Sequence, residues 1–174
     1  MTFLFLFAVI VSFFQGTPGN KIYEWHGPDR TGIYTETGLL RSWPENGPAE
    51  IWSIDNIGNG YGSPTFTEDR FYITGEFDTT CVLFCFDLKG NKKWQVSLGR
   101  EWVKSCPGSR SAPTVTGDLV YTGTGMGNLF CINKNTGKII WSKDFAKDFS
   151  GVFPLHGHSE SPLLDGDKIF WTPG

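Results

Sequence analysis

His156-Gly157-His158-Ser159-Glu160 sets two imidazoles and a carboxylate at alternate positions. In an extended strand all three share one face, about 6–7 Å between successive same-face positions. That donor set suits a divalent cation such as zinc. The same stretch leads into Ser161-Pro162, which matches Ser63-Pro64 and Ala112-Pro113. On that alternative, His156 and His158 are partly solvated residues of a strand start. Glu160 is then an addition at the place held elsewhere by Gly62 and Ser111. Arg110 stands before Pro113 and Tyr61 before Pro64. Convergence of the three starts puts Tyr61, Arg110, His156, His158 and Glu160 around one mouth. A polar rim of this kind suits a small molecule or peptide, and it is equally what solvated strand starts look like. The ligand site is carried forward with no metal and no catalytic residue assigned.

Other chemistry is weaker. Thr122-Gly123-Thr124-Gly125-Met126-Gly127 has the look of a dinucleotide loop. A strand follows it rather than a helix, so no helix N-terminus is there to hold a pyrophosphate. No Gly-x-Ser-x-Gly elbow occurs. Of the four cysteines, Cys85 and Cys131 hold the same place in a repeat, where Cys acts as a small hydrophobe. Cys81 and Cys85 face one side of a strand four residues apart, too far for an easy bridge. With Cys106 they form no Cys-x-x-Cys motif.

The elements that would position these groups recur. Pro64, Pro113 and Pro162 are 49 residues apart, and so are Asp69, Asp118 and Asp167. Phe71-Tyr72, Val120-Tyr121 and Ile169-Phe170 keep that step, and Trp94 and Trp141 close the first two copies. Within a copy, short runs rich in Val, Ile, Phe, Tyr and Thr alternate with Gly, Asp and Asn clusters, the pattern of antiparallel hairpins. About four strands per repeat is the size of a propeller blade, which must stack on neighbours to bury its faces. The fold class is all-β, an incomplete propeller of four-stranded antiparallel blades. Blade 1 is expected over about 60–98, blade 2 over 109–145, and the start of blade 3 over 158–174. Ala49–Ile54 reads as an outer strand. Trp52, Trp94 and Trp141 read as inter-blade packing, each burying roughly 150–250 Å².

A net charge of −3, with no basic stripe among the aromatics, excludes a nucleic-acid partner. Residues 3–14 form an apolar run too short for a comfortable membrane span, and residues 1–19 read as a signal peptide. No Lys or Arg precedes that run, and Gly16 and Gly19 are the small residues near a cleavage point. The expectation is a periplasmic or secreted protein with no further transmembrane segment. Residues 20–48 form an entry segment, and 49–174 belong to the propeller, the N-terminal part of a longer ring.

Asn133-Lys134-Asn135-Thr136-Gly137-Lys138-Ile139-Ile140-Trp141 resembles the repeat signature of pyrroloquinoline-quinone-type propellers, and Asp87 to Trp94 resembles its shorter variant. Trp25-His26-Gly27-Pro28-Asp29-Arg30-Thr31-Gly32, with Gly38-Leu39-Leu40, Trp43-Pro44 and Gly47-Pro48, is similar to the entry segment of exported bacterial proteins of that family. The resemblance covers residues 25 to 174. It implies one of two functions. Some members are dehydrogenases that bind the quinone with calcium; others are non-catalytic scaffolds, such as the propeller subunit of the outer-membrane protein assembly machinery. The dehydrogenases commonly carry an adjacent cysteine pair, which this chain lacks. Their calcium-binding carboxylate and catalytic Asp match no motif here. The expected function is therefore an exported binding scaffold for a protein or glycan. The alternative is a quinoprotein-type alcohol or sugar oxidoreductase, with quinone and calcium ligands outside this stretch.

Overall fold

The computed structural model describes residues 21–27 and 30–172. The apolar run at 3–14 lies outside them. Three antiparallel sheets follow one another along the chain. β2 (Thr65–Phe66), β3 (Arg70–Phe77), β4 (Thr80–Asp87) and β5 (Lys92–Arg100) form a four-stranded sheet in sequence order. β6 (Thr114–Thr116), β7 (Leu119–Gly123), β8 (Asn128–Asn133) and β9 (Ile139–Asp144) repeat it. β10 (Leu163–Asp165) and β11 (Lys168–Phe170) start a third. One short helix, α1 (Phe145–Phe149), follows β9. The blade architecture read from the sequence is what the chain forms.

Strand periodicity sorts the core. In β4, Cys81, Leu83 and Cys85 are fully buried and join Tyr72, Leu98, Val115, Val120, Phe130 and Ile132 in one cluster between the first two sheets. Phe84 and Phe86 point the other way and meet Phe71, Ile54 and Ile57. Both faces of the first sheet are apolar, so both need a covering layer. All four cysteines are free thiols, with Cys106 exposed.

The signature turn has a plain cause. Asp87 Oδ1 accepts from the backbone N–H groups of Lys89 and Asn91 at 3.0 and 2.9 Å. Asn133 Oδ1 does the same for Asn135 and Thr136, both at 3.0 Å. Each turn is thus tied by the side chain that opens it. Beyond the turn, the ladder slips between Cys85 and Phe86, opposite Trp94 and Lys92. It slips again between Cys131 and Ile132, opposite Trp141 and Ile139. A bulge at the same place in both sheets aims the closing tryptophan.

The first of those tryptophans packs outward from its own sheet. Trp94 Nε1 donates to Lys134 O at 3.1 Å, and its ring lies where a Cβ on Gly137 would stand 2.8 Å away. Its other side tilts over Tyr72, as Trp141 tilts over Tyr121. Trp52 stacks on Phe71 at 5.8 Å between centroids and approaches the Gly90 turn. Trp52 thus meets the first sheet's turn as Trp94 meets the second's. The expected outer strand around Trp52 does not form: residues 49–58 carry no regular secondary structure, and Asn56 and Gly58 have left-handed φ of 59° and 77°. Trp52, Ile54 and Ile57 pack the segment against the first sheet, and it pairs with β3 only at its end, where Asn59 forms an antiparallel bridge with Glu76.

The entry segment contributes a strand that the sequence reading did not anticipate. β1 (Ile22–Tyr23) pairs antiparallel with β6, Ile22 opposite Thr116 and Tyr23 opposite Val115. Further contacts fasten the same segment to the other sheets. Lys21 Nζ pairs with Glu68 Oε1 at 3.0 Å, and Tyr23 also donates its hydroxyl to Glu68. Arg30 donates to the carbonyl of Leu164. Lys21, Ile22, Tyr23 and Arg30 between them therefore touch all three blades.

Candidate functional site

The blade entries meet at the connection from β5 to β6. Glu101 opens it, its backbone N–H bonded to Thr79 O at 2.7 Å. The Glu101 side chain is 2% exposed. Its Oε1 accepts from the N–H groups of Trp102 and Gly125 at 2.8 and 2.5 Å. Burial pushes this carboxyl above its ordinary range, against the pull of those bonds and of Arg110's charge. Cys81 lies beside it, and its thiol is pushed well up by burial and then by the Glu101 charge.

Arg110 shapes the loop. Its Nη2 donates to Ser105 O and Cys106 O at 2.7 and 2.6 Å. That double bond from one nitrogen holds Cys106 in a left-handed conformation, φ 46°. Trp102 Nε1 donates to Ser105 Oγ at 3.1 Å, and Ser105 Oγ lies 3.2 Å from His156 Nδ1. The Trp102 ring stacks on Phe153 and presses against Gly157. Tyr61 flanks the loop with its backbone N–H on Ser109 O at 2.7 Å and its ring beside Gly108. The Tyr61 side chain is 68% exposed.

Arg110 and His156 are thus brought together through Ser105, with Tyr61 on the same loop's flank. His158 and Glu160 are not. The strand expected to align them is a turn at Leu155-His156, closed by Gly157 N–H to Pro154 O at 3.0 Å. Gly157 has φ 75°, and a Cβ there would meet Trp102 Cγ at 2.5 Å. The chain therefore reverses and the shared face is lost. His158 goes inward, 7% exposed, its ring against Phe145 and Trp171. Burial lowers its pKa, with the Glu160 charge opposing. Glu160 turns to Thr172, accepting from its N–H at 2.6 Å and its hydroxyl at 3.1 Å. Among the described residues no group of three or more His, Cys, Asp or Glu is placed to hold a metal ion.

Sequence reasoning missed Glu101, Trp102 and Ser105. The one local signal was a carboxylate directly after the alternating β5, where the chain leaves the sheet. A second concavity was also missed. It is a groove of about 880 Å³ between the entry segment and the β2–β3 and β10 strands, with Tyr23, Trp25, Tyr34 and Phe66 on its walls.

Known proteins give the arrangement a context. The family model described as outer membrane protein assembly factor BamB matches residues 82–173. The chain is 28% identical over 109 residues to the quinoprotein alcohol dehydrogenase PedH of Pseudomonas putida, covering 61% of this chain and 17% of that protein. The structure of a europium-containing methanol dehydrogenase shares the fold at a TM-score of 0.52 and 18% identity, over 70% of this chain and 21% of that one. BamB from Moraxella catarrhalis aligns at 22% identity and a TM-score of 0.39, over 58% of this chain and 26% of that one. The chain therefore spans about a fifth of the length of the relatives it matches.

Proposed function

Because the chain belongs to the PQQ-like repeat β-propeller family of the BamB type, we propose that it serves as a non-catalytic binding scaffold, presenting its blade-entry loops to a protein or glycan partner outside the cytoplasm. The supporting observation is how the polar groups at the entries are used. Arg110 spends Nη2 on two loop carbonyls, Glu101 spends Oε1 on two backbone N–H groups, and Glu160 serves Thr172. Groups committed to backbone fix a loop's shape; what they leave facing outward is Tyr61 and the rim around His156. Export rests on the apolar stretch at 3–14.

Pyrroloquinoline quinone with calcium, implied by the family resemblance, does not fit the described residues at the blade entries. A flat tricarboxylate needs an open ring face and free cationic donors. The Trp102 ring is already covered by Phe153 and Gly157, Arg110 Nη2 is committed to two carbonyls, and the unpartnered Arg110 Nη1 is buried rather than open to a ligand. The likeness to a quinoprotein alcohol dehydrogenase favours a second reading, an alcohol or sugar oxidoreductase whose ligands lie elsewhere in the protein.

Two measurements separate the readings. A photo-crosslinker at Tyr61 is expected to give one discrete adduct with an extracytoplasmic partner, lost in Arg110→Ala. Titration of the intact protein with the quinone and calcium, followed by absorbance and a dye-linked alcohol assay, is expected to show no binding. Stoichiometric quinone uptake would sink the scaffold reading.

A further inference from the structure

The groove under the entry segment lies apart from the Arg110 loop: Pro64 reaches it, but none of Tyr61, Arg110, His156, His158 and Glu160 lines it. Four rings stand on its walls. Trp25, Tyr34 and Phe66 are 46%, 53% and 51% exposed, large apolar faces that the fold leaves in water. Tyr34 is held in place: its hydroxyl donates to Trp25 O at 2.9 Å, and its ring lies over Gly27, where a Cβ would stand 2.8 Å from it. Trp25 is backed by His26, ring centroids 3.5 Å apart. The rings are therefore preset surfaces rather than loose side chains.

Both cations in the groove are paired, and one carboxylate is left over. Lys21 is paired with Glu68 at 3.0 Å, and Tyr23 bonds the same carboxylate. The Tyr23 hydroxyl, then Lys21, hold Glu68 down at about 2, so it is ionised throughout the physiological range. Arg30 is paired with Glu24 at 3.1 Å and bonded to Leu164 O. Asp165 is the remaining charge on the lining. An anionic ligand, nucleic acid or phosphate included, would find both cations already neutralised and a carboxylate facing it. β1 is two residues long, too short an edge for strand addition by a peptide. A purely apolar ligand would desolvate the paired ions without replacing their water.

We propose that this groove is a binding site for a neutral oligosaccharide of two or three sugar units. A sugar ring presents C–H groups on its faces and hydroxyls at its edge. The C–H faces meet the electron-rich faces of Trp25, Tyr34 and Phe66. The edge hydroxyls meet carboxylate and guanidinium groups whose orientation is fixed by their own pairing. A volume of about 880 Å³ is within the few hundred to roughly 1,000 Å³ usual for such sites. This proposal stands independently of the scaffold reading at the Arg110 loop.

The test is titration of the 174-residue chain with cellotriose, maltotriose and the N-acetylglucosamine trimer, by calorimetry and tryptophan fluorescence. At least one is expected to saturate. Trp25→Ala and Tyr34→Ala are each expected to weaken it at least tenfold, while Trp43→Ala, at a more exposed tryptophan outside the groove, leaves it unchanged. Trp25→Phe, which keeps an aromatic face, is expected to restore part of the affinity. Because Trp25 is half exposed, thermal melts of the variants confirm that the fold is retained. No saturation by any of the three up to about 10 mM, or saturation unaffected by Trp25→Ala and Tyr34→Ala, overturns the proposal. Tighter binding of a lysine-rich peptide than of any trisaccharide overturns it too.

Discussion

Thr65 donates its hydroxyl to the carbonyl of Pro113 at 2.6 Å, and one repeat later Thr114 donates to Pro162 at the same distance. Both threonines are essentially inaccessible, at 1% and 0% exposure. Each blade's first strand is thus pinned to the proline that opens the next. The evenly spaced prolines are visible in the sequence; that the residue after each is the donor to the next is visible only in the fold.

Thr65→Val keeps the shape and removes the donor, leaving the Pro113 carbonyl buried and unpaired. The expected loss is about 1–3 kcal/mol, read as a lower urea midpoint with unchanged slope. Thr65→Ser, which keeps the hydroxyl, is expected to recover most of it.

Gly137 has φ 71°, and a Cβ there would sit 2.8 Å from the Trp94 ring. Gly166 has φ 58° with nothing within 4 Å. Alanine at either site carries the left-handed cost of about 1–2 kcal/mol. Only Gly137→Ala also displaces the inter-blade ring, so it is expected to lower the melting temperature distinctly more than Gly166→Ala.

Glu101 is held above its ordinary value of 4.5 by burial. A raised carboxyl gives stability that is full below the unfolded value and lost as pH rises through the folded one. Glu101→Gln keeps an oxygen for Trp102 and Gly125 and carries no charge. The variant's stability relative to wild type is expected to climb as pH is raised above 4.5. Glu101→Ala orphans two N–H groups and is expected to cost about 2–6 kcal/mol at low pH, where the Glu101 carboxyl is neutral.

His158 titrates in the opposite sense. Burial lowers it from 6.5, so its contribution is full above the unfolded value and falls away as pH drops toward the folded one. Melting temperatures are expected to decline below about pH 6.5. Replacing the imidazole by Gln should flatten that decline, which a thermal-shift series across pH 5–8 would reveal.

Much of the fold was legible because its signals are local. Asp87 and Asn133 announce their turns, and the alternation of Cys81, Leu83 and Cys85 against Phe84 and Phe86 announces a strand buried on both faces. The site was less legible because its geometry depends on distant partners. Nothing near His156 in sequence says that Trp102 occupies the space beside Gly157 and bends the chain. Nor does Ile22 carry a mark of Thr116, its partner in the sheet. Trp52 was placed beside a blade by its residue type, but strand pairing could not be inferred without a neighbour to receive it.

Arg30 reaches Leu164 across 134 residues. During synthesis at about 5–20 residues per second, that partner emerges roughly 7–27 seconds after Arg30 does. The first two blades can fold in that interval and take up Lys21, Ile22 and Tyr23, while Arg30 waits for its partner. A side chain made early is then the last stitch drawn tight, and a ribosome stalled before Leu164 would leave Arg30 without it.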